Sequence, residues 1–388
     1  MPRRRVGWPL AGALLLACTS GQTTQPAARV DGELAFQKFG GPLTIGPTPA
    51  GLRGTAPEDC APCHAAIVDE WRASGHAMAW TDPIFQGEYG IEPDKSCRDC
   101  HAPQSPGGEP RGVAARDGVG CASCHVRDGH VLGTTGRGAG AHPVAVTPAL
   151  ATAEGCRACH QFPFPPAQPG ANFAYAPGAW LQDTHREWSK SQVGTGGIDC
   201  QACHMPRVRV PETGETRRSH AFPGMRDPGL LARAVKVTVA ARRRGGVVDV
   251  DVRLEPGAIG HAFPTGDMFR QAVLRVRTVE ADADADERVL KRWFGPLREL
   301  GERGETLHDV VEDTRVPAPG AGPPPEYHLS LRSPAAREVA WELELLARSP
   351  DSPLMHAPEI PKELLRRTVA RGQVKIEVVA LRSDAGAP

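Results

Sequence analysis

Ten cysteines and five histidines of this chain fall in five identical frames. They are Cys60-Ala-Pro-Cys63-His64, Cys97-Arg-Asp-Cys100-His101, Cys121-Ala-Ser-Cys124-His125, Cys156-Arg-Ala-Cys159-His160 and Cys200-Gln-Ala-Cys203-His204. Chance and the chain's own composition would supply roughly 0.01 such frames. Two thiols three residues apart on a tight turn can each add to one vinyl group of a haem. The next residue then swings an imidazole under the iron. Zinc is the competing chemistry, since Cys-x-x-Cys units in pairs build four-ligand sites. Zinc takes the units in twos, which leaves one of the five over, and it does not need His after every second Cys. A disulfide framework needs no His either. The frames therefore predict five covalently bound haem c groups on these ten cysteines. His64, His101, His125, His160 and His204 are the expected proximal iron ligands.

These residues need a scaffold. The chain has 388 residues with 43 glycines and 38 prolines, 40% hydrophobic and 23% charged residues, and a formal net charge of zero. Zero net charge argues against a nucleic-acid binder relying on phosphate attraction. No apolar run reaches the ~18–20 residues of a spanning helix. The first cysteines of the frames, at 60, 97, 121, 156 and 200, are irregularly spaced, which speaks against a tandem array. So few residues per haem leave much of the core to the porphyrins themselves. Short helices joined by long loops are expected over 56–228, the clearest running from Glu58 to Ala77 with the first frame inside it. Beyond 228 the pattern changes. Val235, Val237 and Val239 alternate with polar residues, Gly245-Gly246 interrupts, and Val248, Val250, Val252 and Leu254 alternate again, a hairpin signal. Further period-two runs lie at Ala272/Leu274/Val276, Val339/Trp341/Leu343/Leu345 and Val374/Ile376/Val378, with weaker ones near Trp293 and Leu329. About seven short strands favour a β-sandwich over 229–388. A short helix is expected at Lys362–Ala370. The fold class is thus an α plus irregular, haem-cored multihaem domain followed by an all-β sandwich-like domain.

The eleventh cysteine, Cys18, follows Arg3-Arg4-Arg5 and the apolar run Leu10 to Ala17. This is the pattern of an export signal over 1–17. Leu15-Leu16-Ala17-Cys18 resembles a bacterial lipobox, with Cys18 the lipidated residue and 18–55 a flexible tether. A plain signal peptide cleaved nearby is the other reading. Export to the periplasm or cell envelope is expected, with the outer membrane mildly preferred because Thr19, not Asp, follows Cys18.

Cys60-x-x-Cys63-His64 followed by Trp71-x-x-Ser74-x-His76 resembles the multihaem cytochromes related to the tetrahaem cytochrome c of nitrifying bacteria. That superfamily also takes in hydroxylamine oxidoreductases and pentahaem nitrite reductases. Gly118-Val119-Gly120, Met205-Pro206, Ser219-His220-Ala-Phe-Pro-Gly224 and Gly260-His261-Ala-Phe-Pro-Thr-Gly266 fit the same likeness, which covers about residues 57–270. It implies distal iron ligands at His76, His142, His220 and His185, the last just before Trp188-x-x-Ser191. That segment echoes Trp71-x-x-Ser74, but Val stands at 193 where the first copy has His. His261 is a further distal candidate or a structural contact, and His130 another candidate. His308, His328 and His356 read as ordinary histidines. Met78, Met205 and Met225 are alternative ligands that would raise a haem's potential.

The function that follows is electron transfer through closely spaced bis-histidine haems, between donor and acceptor redox proteins, from a lipid-anchored position on a membrane. A second possibility is an enzyme acting on nitrite, hydroxylamine or a similar species at one open haem. Against a direct transfer of those activities, no frame carries Lys in place of His. Tyr89, Tyr175 and Tyr327 also lie in no setting like that of a haem-linked tyrosine. A third is that the β-rich part is a docking module with the haems as a wire behind it.

Overall fold

The computed structural model describes residues 45–379, apart from 92, 106–107, 136–140, 168–170 and 280–283. The expected signal segment, Cys18 and most of the tether fall outside the described residues. Among those described, no helix is long and apolar enough to cross a membrane.

The first part is built from short helices: α1 (Pro57–Arg72), α2 (Pro83–Ile91), α3 (Lys95–His101), α4 (Cys121–His125), α5 (Glu154–His160), α6 (Thr184–Ser189) and α7 (Cys200–His204). Five of them carry the frames, and α3, α4, α5 and α7 each end on the frame's histidine. In α1 the histidine is where the helix kinks, with His64 at φ −122°, ψ 33°. Leaving helical geometry at that residue frees the imidazole to turn away from the helix axis. The helix expected over 58–77 stops at Arg72. The Ser74 hydroxyl accepts the Ala77 N–H at 3.4 Å, offering the backbone a turn in place of another helical turn. Gly118 has φ +52°, and a Cβ there would lie 2.8 Å from the His76 carbonyl, so glycine is required where this loop closes on the turn.

The second part is β-rich. Its elements are β2 (Val235–Arg244), β3 (Val247–Pro256), β4 (Gln271–Thr278), β5 (Ala285–Leu290), β6 (Arg292–Leu300), β7 (Thr306–Asp313), β8 (Glu326–Arg332), β9 (Glu338–Leu346), β10 (Arg366–Lys375) and β11 (Glu377–Val378), with β1 (Phe173–Tyr175) contributed from the first part. One sheet has the order β8-β3-β2-β11 and another β5-β4-β9-β10. The β2–β3 hairpin turns on Gly245-Gly246, with Arg244 opposite Val247 and Gly245 at φ +60°, as a two-residue primed turn demands. Val248, Val250, Val252 and Leu254 from one sheet share a buried core with Leu274, Val276, Leu343 and Leu345 from the other. Alternating side chains of two sheets filling one core is sandwich packing.

Three features depart from sequence expectation. The helix expected at 362–370 ends at Leu365, and Arg366–Lys375 is a strand along β9. Burial of Val369 in the shared core outweighs local helix preference there. The run Val374/Ile376/Val378 straddles two sheets: β10 ends at Lys375, and β11 pairs with Arg242 and Arg243 of β2. Finally, the two parts interlock. β1 lies parallel to β7, so a strand from between the frames joins the sheet β6-β7-β1. Ile84 of α2 shares a core with Val273, Leu346 and Leu365.

Candidate multihaem site

The ten frame cysteines form no disulfide among the described residues. Among the described residues, no group of three or more His, Cys, Asp or Glu is gathered to hold a metal ion. Thiols from different frames come within hydrogen-bonding reach: Cys60 with Cys121, Cys100 with Cys159, and Cys156 with Cys200. Burial raises the Cys124 thiol, and the charge of Cys159 raises it further. Thiol contacts thus run from the first frame to the third, the second to the fourth, and the fourth to the fifth, and the third and fourth are linked electrostatically.

Protein interiors hold few voids larger than a water molecule. Here a connected cavity of about 3590 Å³ runs through the first part. An ordinary ligand pocket is about 300–1,000 Å³. Its wall carries both cysteines of the first four frames, together with His64, His76, His101, His125, His142 and His160. A void of this size beside ordered thiols fits several large apolar groups bonded to those thiols.

The imidazoles carry the sharper test. An imidazole nitrogen lies about 2 Å from a first-row metal and about 1.1 Å from its own ring centre, so two rings on opposite faces of one iron have centres about 6.2 Å apart. The ring centres of His76 and His160 are 6.3 Å apart, of His125 and His220 6.1 Å, and of His204 and His261 6.3 Å. Each pair joins one frame histidine to one histidine outside the frames. A fourth pairing is electrostatic: burial, and then the proximity of His142, hold His64 below its ordinary pKa. For His101 no second histidine ring is recorded among the described residues. Phe85 stacks flat on it at 3.7 Å, and Asp267 and Arg348 are its charged neighbours.

Ligation needs a neutral imidazole with one nitrogen free. Burial pushes His76 and His220 down to about 4 and His160 to about 3. Nδ1–H of His101 donates to the Ala79 carbonyl at 2.6 Å, that of His125 to Leu132 at 2.9 Å, and that of His204 to Pro223 at 2.6 Å. Each bond fixes the tautomer that leaves Nε2 for a metal. On the opposite side, His220 donates to Arg218 at 3.2 Å and His261 to Ala262 at 2.9 Å.

His185 and His130 stand apart from these pairs. His185 is buried, with Nδ1 3.1 Å from the Gln161 amide oxygen and Nε2 3.4 Å from Glu154, poorly aligned for a hydrogen bond. His130 is exposed, and its Nδ1 donates to Asp128 at 3.0 Å. Of the methionines, Met78 takes an Arg226 N–H on its sulfur and Met225 packs on the sandwich core.

Sequence reasoning missed the charged residues that brace the site. Glu70 of α1 accepts the His220 backbone N–H at 2.8 Å and both guanidinium nitrogens of Arg217 at 2.8 and 2.9 Å. Arg217 holds the Glu70 carboxyl below its ordinary range. Glu187 of α6 and Arg315 form a buried pair at 2.6 Å. Arg348 joins Glu88 at 2.6 Å and Asp267 at 3.3 Å beside His101. Nothing in their local sequence marks these partners, since each pair is distant in the chain.

Residues 59–126 match the family model described as cytochrome c554 and c-prime. The chain is similar to a penta-heme cytochrome c552 from Thermochromatium tepidum, with 20% identity over 83% of this chain and 98% of that one, at a TM-score of 0.62. At that identity the likeness is one of fold. A likeness to the Fcho1 Mu homology domain of Danio rerio with bound Eps15 peptide, 13% identical over 31% of this chain and 38% of that one, has a TM-score of 0.15 and carries no argument. No curated protein matches the chain.

Proposed function

We propose that this multihaem c-type cytochrome is an electron relay. It would hold five haems on its five frames and pass electrons between redox proteins at the cell envelope. A bound haem supplies a one-electron iron couple whose potential is set by axial ligands, burial and charge. The chain's part is to hold four of the irons between two imidazoles each, the remaining iron on His101, and to keep neighbouring sites close. In this reading His64 pairs with His142, His125 with His220, His160 with His76, and His204 with His261. The carrying observation is the ring-centre separation of 6.1–6.3 Å in three such pairs. The thiol contacts between frames, and the electrostatic link between the third and fourth, support closely spaced sites. Export, lipidation at Cys18, an outer-membrane anchor and division into a 56–228 haem domain and a 229–388 β-domain belong to the same proposal. Mass spectrometry of the mature protein, read with low-temperature electron paramagnetic resonance, tests it. Five added haem masses and mostly low-spin iron are expected. A colourless mature chain, or mostly high-spin iron, would refute it.

A second reading is favoured by one observation. His101 faces no second histidine among the described residues, and the cavity near it is walled by Asp267, Arg270 and Arg348. An iron held there by His101 would keep a position for a small ligand, which is the enzyme alternative. Cyanide or nitrite added to the resting protein would shift the spectrum of one iron; no shift with either would remove this reading.

A further inference from the structure

The turn carrying His76 occurs twice. In the first copy the Ser74 N–H donates to the Trp71 carbonyl at 2.8 Å, and the Ser74 hydroxyl accepts the Ala77 N–H at 3.4 Å. The Trp71 indole donates to the Val119 carbonyl at 2.9 Å, and the Val119 N–H returns to the His76 carbonyl at 2.9 Å. In the second copy Ser191 donates to Trp188 at 2.9 Å and accepts from Gly194 at 3.0 Å. The Trp188 indole donates to Ile198 at 2.8 Å, and the Ile198 N–H returns to the Val193 carbonyl at 3.1 Å. Both serines are buried. Val119 and Ile198 each stand two residues before the first cysteine of a frame, at Cys121 and Cys200. Four hydrogen bonds at matching positions make this one device used twice. The second copy has Val193 where the first has the ligand His76.

What lies against Val193 is Gly260. A Cβ there would come within 3.1 Å of the Val193 side chain and 3.3 Å of the Trp188 ring. The next residue is His261, whose ring faces that of His204 at 6.3 Å. Its segment is held from both sides. The Thr265 hydroxyl donates to Glu187 at 2.7 Å. Arg315 donates to the other Glu187 oxygen at 2.6 Å and to the Pro264 carbonyl at 3.1 Å. Asp313 takes two further N–H groups of Arg315, at 2.9 and 2.7 Å. Phe263 and Val316 exchange backbone bonds at 2.8 and 2.9 Å.

We propose that Trp188–Val193 is a second ligand turn without its histidine, and that Gly260–Gly266 of the β-rich part seats the replacement, His261. Glu187, Arg315 and Thr265 are then positioning residues for that ligand. This rests on the reading of His261 as the sixth ligand of the fifth frame. It gives the β-rich part a role inside the electron path, which differs from a docking module appended to it.

The test uses the haem-loaded full chain and counts high-spin iron by low-temperature electron paramagnetic resonance, with and without added imidazole. His261→Ala should add one high-spin iron per chain, removed by imidazole. Arg315→Gln should give the same new signal through about a tenfold rise in the five-coordinate population of that iron, the size expected when a charge-assisted contact is lost. Arg315→Lys should recover part of the low-spin state. Thr265→Val removes a single hydroxyl and should show the same signal more weakly; it carries the test if Arg315→Gln does not fold. If His261→Ala adds no high-spin iron, the ligand reading fails, and this proposal with it. If His261→Ala does and the Arg315 and Thr265 variants add no high-spin iron, the clamp is refuted while the ligand reading stands.

Discussion

Glu70→Gln is the most direct probe of how the chain braces a ligand loop across two frames. Glu70 belongs to the helix of the first frame, yet it holds the backbone of His220, whose ring faces His125 of the third. The glutamate oxygens accept three N–H groups, from Arg217 twice and from His220 once. Glutamine has one acceptor oxygen, and its amide must point N–H groups at Arg217 or at His220. The Arg217 pair is about a quarter exposed on each side, so screening limits it to about 1 kcal/mol. The bond to the His220 N–H is charge-assisted and adds about 1 kcal/mol. The total of about 2 kcal/mol is roughly thirtyfold in the folding equilibrium. Guanidinium unfolding followed in the haem absorption band measures it as a lower midpoint. Glu58→Gln is the matched control: its pair with Arg116 is more than half exposed on both sides and is worth at most about 0.5 kcal/mol. Equal midpoints for the two variants would refute the bracing role of Glu70.

Other outcomes follow from the same geometry. Replacing both Cys97 and Cys100 by Ser should lower the mass of the mature protein by one haem and leave the remaining haem spectra in place. Leu343, fully buried in the sandwich core, should cost about 2–5 kcal/mol when cut to Ala, with unchanged visible absorption. The pH dependence of stability should carry the Glu187–Arg315–Asp313 cluster. Burial raises the Glu187 and Asp313 carboxyls, but Arg315, joined at Glu187 by the Thr265 hydroxyl and His261, outweighs it and both lie below their ordinary values. Their stabilisation is present above the unfolded carboxylate range near pH ~4 and is lost as pH falls through the lower folded values. Arg315→Gln should flatten that acid limb in unfolding experiments at stepped pH.

Much of the site was legible along the chain because covalent haem attachment is a local chemistry. Two thiols and an imidazole must sit within five residues, so the frames announce themselves without reference to any fold. The β-strands from Val235 to Leu254 were equally plain, since a half-buried strand writes its two faces in alternate residues. The helix expected past Leu365 failed for the opposite reason: composition there is ambiguous, and pairing with β9 decided the outcome.

The axial partners were another matter. A distal ligand is fixed by which ring reaches across an iron, and nothing in spacing distinguishes His185, which faces Gln161 and Glu154, from His261, which faces His204. The Val193 position is the clearest case: the sequence echo lacks a histidine there, and the proposed replacement, His261, comes from far along the chain. The bracing pairs Glu70–Arg217 and Glu187–Arg315 are invisible for the same cause, each joining residues more than a hundred positions apart. What the residues alone determined were the five frames and the attachment chemistry they predict. Which imidazoles face one another was decided by long-range packing, where contact depends on the folded path and not on sequence distance.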